Sequence, residues 1–359
     1  MPLNHYVTLG RSGLRVSPLC LGAMTFGLDW GWGSDVEESE AIIDAFLDRG
    51  GNFIDTANMY TRGHSERIIG DHLGRHPARR DRAVIATKFM GNLFPGDPNG
   101  GGAGRKGVIA QCEESLRRLQ TDYIDLYWMH FWDPMTPIDE TMRALDDLVR
   151  AGKVRYVGFS DTPAWKCVQA QMMARGKDWA PVIALQIEYS LLERTVEGDL
   201  IPMALEMGMG VTPWSPLKGG VLSGKYTRSK APPPGRGEWV AAHLKERAFG
   251  LVDALVAIGA QVHATPAQVA LNWVQNRAGV ASTIIGARTM QQLEDNLGAL
   301  DVHLLPEHLA TLDELSRPQL SFPHDFIRNT ADSVQGGTTV NGRPSKVWAL
   351  APKTDKERW

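Results

Sequence analysis

The sequence predicts a closed (β/α)8 barrel, an α/β fold of TIM-barrel type. Three observations carry that expectation. Short apolar stretches rich in Val, Ile and Leu recur along the chain. Each is apolar on both faces, as strands covered on both sides are. A helical segment separates each from the next, the alternation that builds a parallel sheet. Eight such units in roughly 300 residues fit a closed barrel better than an open sheet.

The elements follow in order. Residues 6–18, YVTLGRSGLRVSP, predict a β-hairpin turning at Arg11 to Gly13, placed as a plug under the barrel. The first barrel strand is LCLGAM (19–24), with a helix across EESEAIIDAFLDRG. The second is NFIDTA (52–57), then a helix across SERIIGDHLGR. RAVIATKF (82–89) is third, with a helix across KGVIAQCEESLRRLQ. YIDLYWMH (123–130) is fourth, with a helix across IDETMRALDDLVRAG. VRYVGFS (154–160) is fifth, and its helix includes Ala164 to Ala174. VIALQIEYS (182–190) is sixth, followed by a helix ending near Met207, and MGVTPWSPL (209–217) is seventh. The helix after strand seven is displaced by a long Gly- and Pro-rich connection over 218–248, and it runs across FGLVDALVAIGAQV. TPAQVALNWVQN predicts a further helix, with Thr265 as N-cap and Pro266 at the first helical position. STIIGAR (282–288) is the eighth strand, followed by a helix across MQQLEDNLGAL.

Three pieces lie outside this repeat besides the hairpin. Residues 26–34, FGLDWGWGS, form an aromatic loop, and residues 91–105 are flexible by composition. The tail over 316–359 has no periodicity but carries Phe322, Phe326, Trp348 and Trp359, anchors that predict a docked segment. The expected organisation is one barrel domain over 1–315 with long top-face loops, and a C-terminal extension over 316–359 docked on it.

Composition narrows the function classes. A net charge of −3 provides no basic field for nucleic acid or an anionic membrane. No apolar run approaches the length that spans a bilayer, and the N-terminus lacks a signal peptide's apolar region. Cys20, Cys112 and Cys167 show no metal-like spacing and are an odd number in a long chain. They are expected to be reduced and mostly buried in a cytoplasmic protein.

In an α/β barrel the chemistry sits at the C-terminal strand ends. There strand two ends at Asp55, with Tyr60 just beyond. Strand three ends at Lys88, strand four at His130, and strand five at Ser160 and Asp161. Strand six carries Gln186, strand seven Trp214 and Ser215, and strand eight leads into Arg288. Taken singly, each has a plain structural reading: an interior Asp55–Lys88 ion pair, a half-buried core tyrosine, a satisfied core histidine. The coincidence of four proton-handling groups at three successive strand ends argues for chemistry. A tyrosine, with a free pKa of roughly 10, is strong enough to protonate an alkoxide as it forms. A neighbouring ammonium lowers that pKa. Lys88 supplies the ammonium, Asp55 holds Lys88, and His130 donates to the same oxygen. Tyr60 and His130 together suit a carbonyl that is receiving a hydride.

The stretches NFIDTANMY, ATKF, YWMH, GFSD, LQIEYS, WSPLKGGVLSGKY and GARTMQQLEDN together resemble the aldo-keto reductase superfamily over about residues 6 to 315. The resemblance is nearest to the branch with potassium-channel β subunits and bacterial NADPH-dependent reductases. It implies a tetrad of Asp55, Tyr60, Lys88 and His130, and an NADP(H) cofactor bound without a Rossmann fold and preferred over NAD(H). Ser160, Asp161 and Gln186 fall at the carboxamide end of that cofactor, where Asp161 stands in place of the usual asparagine. Trp214 falls where a ring stacks on the nicotinamide. Ser215, Pro216, Leu217, Gly219, Gly220 and Lys225 form the pyrophosphate loop, and Gly286, Arg288, Gln292, Asp295 and Asn296 the adenosine end. Gly22, Ala23 and Met24 line the cofactor at strand one. Phe26, Trp30, Trp32, Met59, Phe89, Met90, Phe131 and Trp132, with Phe94, are expected to wall a pocket for a medium or bulky carbonyl.

The implied activity is NADPH-dependent reduction of an aldehyde or ketone, the substrate being a keto-sugar, an aromatic aldehyde or an oxidised secondary metabolite. No metal is expected, since no HxH pair ends strand one. The expected partner is a small carbonyl or alcohol, with the chain a monomer or homo-oligomer. Two rivals stand beside this reading: an NADPH-binding redox sensor with little turnover, and a Schiff-base aldolase using Lys88.

Overall fold

Eight parallel strands succeed one another around a ring in chain order. They are β1 (Leu19–Gly22), β2 (Phe53–Asp55), β3 (Val84–Phe89), β4 (Ile124–Met129), β5 (Val154–Ser160), β6 (Val182–Glu188), β7 (Gly210–Trp214) and β8 (Thr283–Gly286). β8 returns to pair in parallel with β1. The last seam, between β7 and β8, is bridged where Val211 pairs with Val280, just ahead of β8. The (β/α)8 barrel is therefore nearly closed. The computed structural model describes residues 1–226, 228 and 240–359, so part of the long connection expected over 218–248 lies outside the described residues.

Local chemistry sets the helix ends. α1 (Val36–Asp48) begins where the Asp35 carboxylate accepts from the Glu38 amide, with Glu37 and Glu38 in the first turn suiting the helix dipole. α8 (Pro266–Gln275) begins in a full capping box, Thr265 and Gln268 each accepting from the other's backbone. Between these lie α2 (His64–Ile69), α3 (Arg105–Leu119), α4 (Ile138–Arg150), α5 (Ala164–Lys177), α6 (Leu200–Met207) and α7 (Glu246–Val262); α9 (Met290–Leu297) and α10 (Pro306–Leu315) follow. The one helix expected over SERIIGDHLGR is instead α2 running into a π turn at Gly70–Gly74. Crowding explains the two glycines there, since a Cβ on Gly70 or Gly74 would fall 2.1 or 2.0 Å from a backbone carbonyl oxygen at the end of α3.

Strand alternation sorts side chains into two cores. Cys20, Phe53, Val84, Ala86, Leu126, Trp128, Ala184 and Ile284 fill the barrel interior with Leu9 and Val16 of the N-terminal hairpin. Leu19, Leu21, Ile54, Ile85, Tyr127, Met129 and Phe159 pack outward against the helices. The hairpin pairs Val7–Thr8 with Arg15–Val16 and sits beneath β6 and β7, where Gly10 approaches the Ile183 and Gly208 carbonyls. It is the expected plug. Gly158 leaves the space that the fully buried Trp128 ring fills, for a Cβ there would lie 2.3 Å from it. The three cysteines are free and buried. Among the described residues, no single helix is long and apolar enough to cross a membrane.

The chain divides into two compact units, Met1–Arg317 and Pro318–Trp359. The second contains a helix at His324–Thr330 and a short antiparallel pair, Thr339–Val340 with Arg343–Pro344, and an ion pair joins Lys346 to Asp332 at 2.8 Å.

Candidate active site

The alternation that fills the barrel also aims the candidate residues. On β3, Val84 and Ala86 point inward, so Lys88 does too. On β2, Phe53 points inward and Asp55 follows. On β4, Leu126 and Trp128 are followed by His130 one residue past the strand. Lys88 is wholly buried. Its ammonium donates to the Asp55 carboxylate, to the Thr56 carbonyl at 2.8 Å and to the Tyr60 hydroxyl at 3.2 Å. Three donors thus meet three acceptors. The second Asp55 oxygen accepts from Gln186 Nε2 at 3.0 Å. Gln186, expected at the cofactor's carboxamide, spends one of its two amide N–H groups on Asp55 and keeps the other N–H and its Oε1. Tyr60 is followed by two left-handed residues, Thr61 and Arg62, which turn the chain sharply into α2. Thr61 pins that turn by donating to the Phe26 carbonyl at 2.7 Å and accepting from the Ser65 amide at 2.9 Å.

The electrostatics follow from burial. Burial pushes the Tyr60 phenol above its ordinary range, and the Lys88 ammonium pulls it back only in part. The lowering expected from Lys88 is present, but burial outweighs it, so Tyr60 is held as a protonated phenol. Burial also works against the Lys88 charge, but Asp55 and Tyr60 overcome it and hold Lys88 above its ordinary value, as an ammonium. His130 packs edge-on to Tyr60, with ring centroids 5.7 Å apart. Burial, then the Lys88 charge, push its pKa down to about 3, so its imidazole is neutral near pH 7. Its Nδ1 is buried without a hydrogen-bond partner.

Beside this network, Ser160 registers with Gln186, and Glu188 with Trp214. Asp161 follows β5 in a left-handed conformation, which aspartate and asparagine tolerate. Its carboxylate accepts from the half-buried Trp214 indole at 3.0 Å. Asp161 is exposed to water at the barrel mouth, yet the protein packed on its inner side raises its carboxyl to about 6. Burial is the main cause and Glu188 adds to it, against the pull of Trp214, Lys88 and Ser160. Ser160 Oγ is buried without a well-formed hydrogen bond, although it lies near enough to Asp161 to favour the anion.

The remaining candidates spread around the mouth. After β7, Ser215 takes a left-handed conformation and its hydroxyl accepts from the Gly219 amide at 3.2 Å. Gly219 and Gly220 are left-handed, and a Cβ on Gly220 would press on the Lys225 ammonium at 2.7 Å. Pro216 is buried and Leu217 half-buried in the same turn. Past β8, the Gln292 side chain accepts from the Arg288 amide at 3.0 Å, and Asn296 donates to the Gly286 carbonyl at 3.1 Å. Asp295 accepts from the Thr265 hydroxyl at 3.1 Å. The Arg288 guanidinium has no ion pair among the described residues. At β1, Gly22 registers with Asp55. Ala23 is fully buried with both backbone groups taken, by the Asp55 carbonyl and the Ser65 hydroxyl, and Met24 is partly open.

The aromatic wall needs correction. Phe26 and Phe89 have no accessible surface. Phe89 points outward by strand alternation and packs on Tyr127, with ring centroids 4.9 Å apart. Both are core side chains rather than pocket walls, and Met90 is almost as buried. Trp30 stands edge-on to Tyr60 at 6.4 Å and leans on Trp32 at 5.6 Å. Met59, Phe131 and Phe94 are exposed, and Trp132 lies under the Lys166 ammonium at 4.8 Å. A cofactor fits these residues. The unpaired buried Ser160 hydroxyl and His130 nitrogen lack partners that a polar ligand supplies, and the left-handed glycine turn and the unpaired Arg288 suit phosphates.

The chain belongs to the aldo/keto reductase family, whose model matches residues 18–317. That family generally uses nicotinamide cofactors. The chain is 39% identical to the uncharacterized oxidoreductase YrpG of Bacillus subtilis, covering 87% of this chain and 95% of that one. It is 36% identical to the aryl-alcohol dehydrogenase GME11368 of Pestalotiopsis microspora, over 90% and 85% of the two chains. It is also 36% identical to a probable voltage-gated potassium channel subunit beta of Oryza sativa subsp. japonica, over 83% and 92%.

Proposed function

We propose that this protein reduces an aldehyde or ketone to the alcohol, with NADPH as the hydride donor and Tyr60 as the general acid. The observation that carries the reading is the closed relay from Asp55 through Lys88 to the Tyr60 hydroxyl at 3.2 Å, beside a neutral His130 with an unpaired nitrogen. When bound, the nicotinamide supplies the hydride. Tyr60 and His130 hold the carbonyl oxygen, and Tyr60 gives it the proton as negative charge develops. Lys88 stays an ammonium throughout, so the phenolate left behind faces a fixed positive charge. Asp55, tied on its other oxygen by Gln186, keeps that ammonium in place. Trp214 offers the face for the nicotinamide, the turn at Gly219 and Gly220 a cradle for the pyrophosphate, and Arg288 a fork for a 2′-phosphate. That fork favours NADPH over NADH.

The rim of Trp30, Trp32, Phe131 and Trp132 suits an aromatic or other bulky carbonyl, in keeping with the aryl-alcohol dehydrogenase relative. The free, buried thiols suit the cytoplasm. Tyr60→Phe tests the acid. Turnover of aromatic aldehydes should fall about 10²- to 10⁴-fold while NADPH still quenches tryptophan fluorescence; retained turnover would refute the assignment. The channel-subunit relative favours a second reading, a redox sensor using the same site. Stopped-flow mixing of the NADPH complex with aldehydes separates the two, since a sensor transfers hydride slowly or not at all.

A further inference from the structure

Resting on the cofactor reading above, we propose that Asp161 makes the site sensitive to the oxidation state of the nicotinamide. Its carboxylate holds the cationic oxidised ring more tightly than the neutral reduced one. Position is the first ground. A hydride donor must approach to about 3–3.5 Å from the carbonyl carbon, and the carbonyl oxygen belongs at the Tyr60 hydroxyl. The ring therefore lies within a few ångströms of Tyr60. Asp161 borders that space, close enough to raise the Tyr60 pKa and bonded at 3.0 Å to the Trp214 indole on its flank.

The carboxylate is held there. The Asp161 amide donates to the Gln186 carbonyl at 3.1 Å, and its own carbonyl accepts from the Trp132 amide at 3.3 Å. The backbone is tied on both sides and one carboxylate oxygen accepts from Trp214, so these bonds hold the exposed group beside the indole.

Charge balance is the third ground. The charged groups that bear on Asp161 are Lys88 from β3 and Glu188 from β6. Each is neutralised by its own partner: Lys88 by Asp55, and Glu188 by Lys218 at 2.6 Å. Tyr60, Ser160 and the Trp214 N–H are uncharged donors. Among the described residues Asp161 has no ion pair. Among the described residues it is thus an uncompensated charge beside this space, where Lys88 and Glu188 are each paired. An oxidised nicotinamide carries a positive charge on its ring and a reduced one carries none, so the carboxylate discriminates between them. An asparagine would offer Trp214 the same acceptor without that charge.

Two consequences follow. Stabilising the oxidised ring favours carbonyl reduction over the reverse reaction within the enzyme, and it slows release of the spent cofactor. The preference also depends on pH, because the discriminating form is the anion. It is present above the range where Asp161 titrates and lost as the carboxyl takes a proton. A neutral ring that covers the carboxylate without compensating its charge promotes that uptake.

The test is a fluorescence titration of the whole chain with NADPH and with NADP⁺ between pH 5 and pH 8.5, for the wild type and Asp161→Asn. The 2′-phosphate is common to both cofactors, so its own titration cancels in the ratio of dissociation constants. In the wild type, Kd(NADPH)/Kd(NADP⁺) should rise roughly tenfold across the range, the equivalent of one unit of pKa difference between the two complexes. In Asp161→Asn the ratio should be flat and lower at pH 8. Calorimetry of the wild type in buffers of different ionisation heat gives a check without a variant: NADPH should take up more protons than NADP⁺ near pH 6.5. A flat wild-type ratio, a slope that survives in Asp161→Asn, or equal proton uptake for both cofactors would overturn the proposal. Failure of both cofactors to bind the wild type would overturn the NADPH reading itself and this inference with it.

Discussion

Lys88→Met removes the ammonium at the centre of the relay and keeps most of its volume. Asp55, only 2% exposed, then loses its countercharge and retains Gln186 as its remaining side-chain donor. Breaking a buried ion pair from one side costs about 3–5 kcal/mol, because the abandoned charge keeps its desolvation penalty. For the 317 residues of the barrel unit, an unfolding entropy of about 2.1 cal/mol/K per residue converts that cost into a Tm lower by about 4.5–7.5 °C. Asp55→Asn with Lys88→Met removes both charges, and the pair should lose less than the sum of the two single changes, with a coupling of about 0.5–3 kcal/mol. Thermal and urea melts followed by circular dichroism give all four corners of the cycle. All three variants should be inactive, so the melts separate structural from chemical loss. If Lys88→Met costs under about 1 kcal/mol, or if the double variant is strictly additive, the description of Lys88 and Asp55 as one coupled buried unit is wrong.

Other expectations concern the neighbouring groups. Arg288→Ala should weaken NADPH binding roughly 10- to 100-fold, the size of a lost charge-assisted hydrogen bond, and leave NADH binding unchanged in the same fluorescence titration. Gly158→Ala should destabilise the chain by about 1–3 kcal/mol in thermal melts, because its Cβ would fall 2.3 Å from the Trp128 ring, which has no space to retreat into. The folded-state pKa of His130, about 3, lies below its unfolded value. The unfolded chain therefore binds a proton that the folded chain refuses, and stability falls as pH drops from about 6.5 toward 3. His130→Gln should flatten that acid limb in melts run as a function of pH.

Much of the site was readable in the chain because strand alternation is a local rule. Phe53 and Asp55 are two residues apart, as are Ala86 and Lys88, and Trp128 and His130; in each case burial of the first places the second inside the barrel mouth. The same rule, followed one step further, removes Phe89 from the pocket, since it sits one residue past Lys88 and faces the helices. Phe26 was less accessible to such reasoning. Its burial depends on a loop closing on itself, where Phe26 bridges to Ser34 and its carbonyl receives the Thr61 hydroxyl. The break of α2 into a π turn also escaped the sequence, because the cause lies on α3, against whose last carbonyls Gly70 and Gly74 pack.

Sequence alone determined the barrel, the order of its strands and which polar residues end them, because each follows from periodicity over a few neighbouring residues. Tertiary structure decided how those residues divide their labour. Gln186 is 131 positions from Asp55 and Asp161 is 53 from Trp214, yet each pair is joined by a hydrogen bond of 3.0 Å. No local pattern encodes such pairs. They arise when ring closure brings the ends of β2, β5, β6 and β7 around one opening, where burial then lifts the Tyr60 phenol and leaves the His130 imidazole neutral.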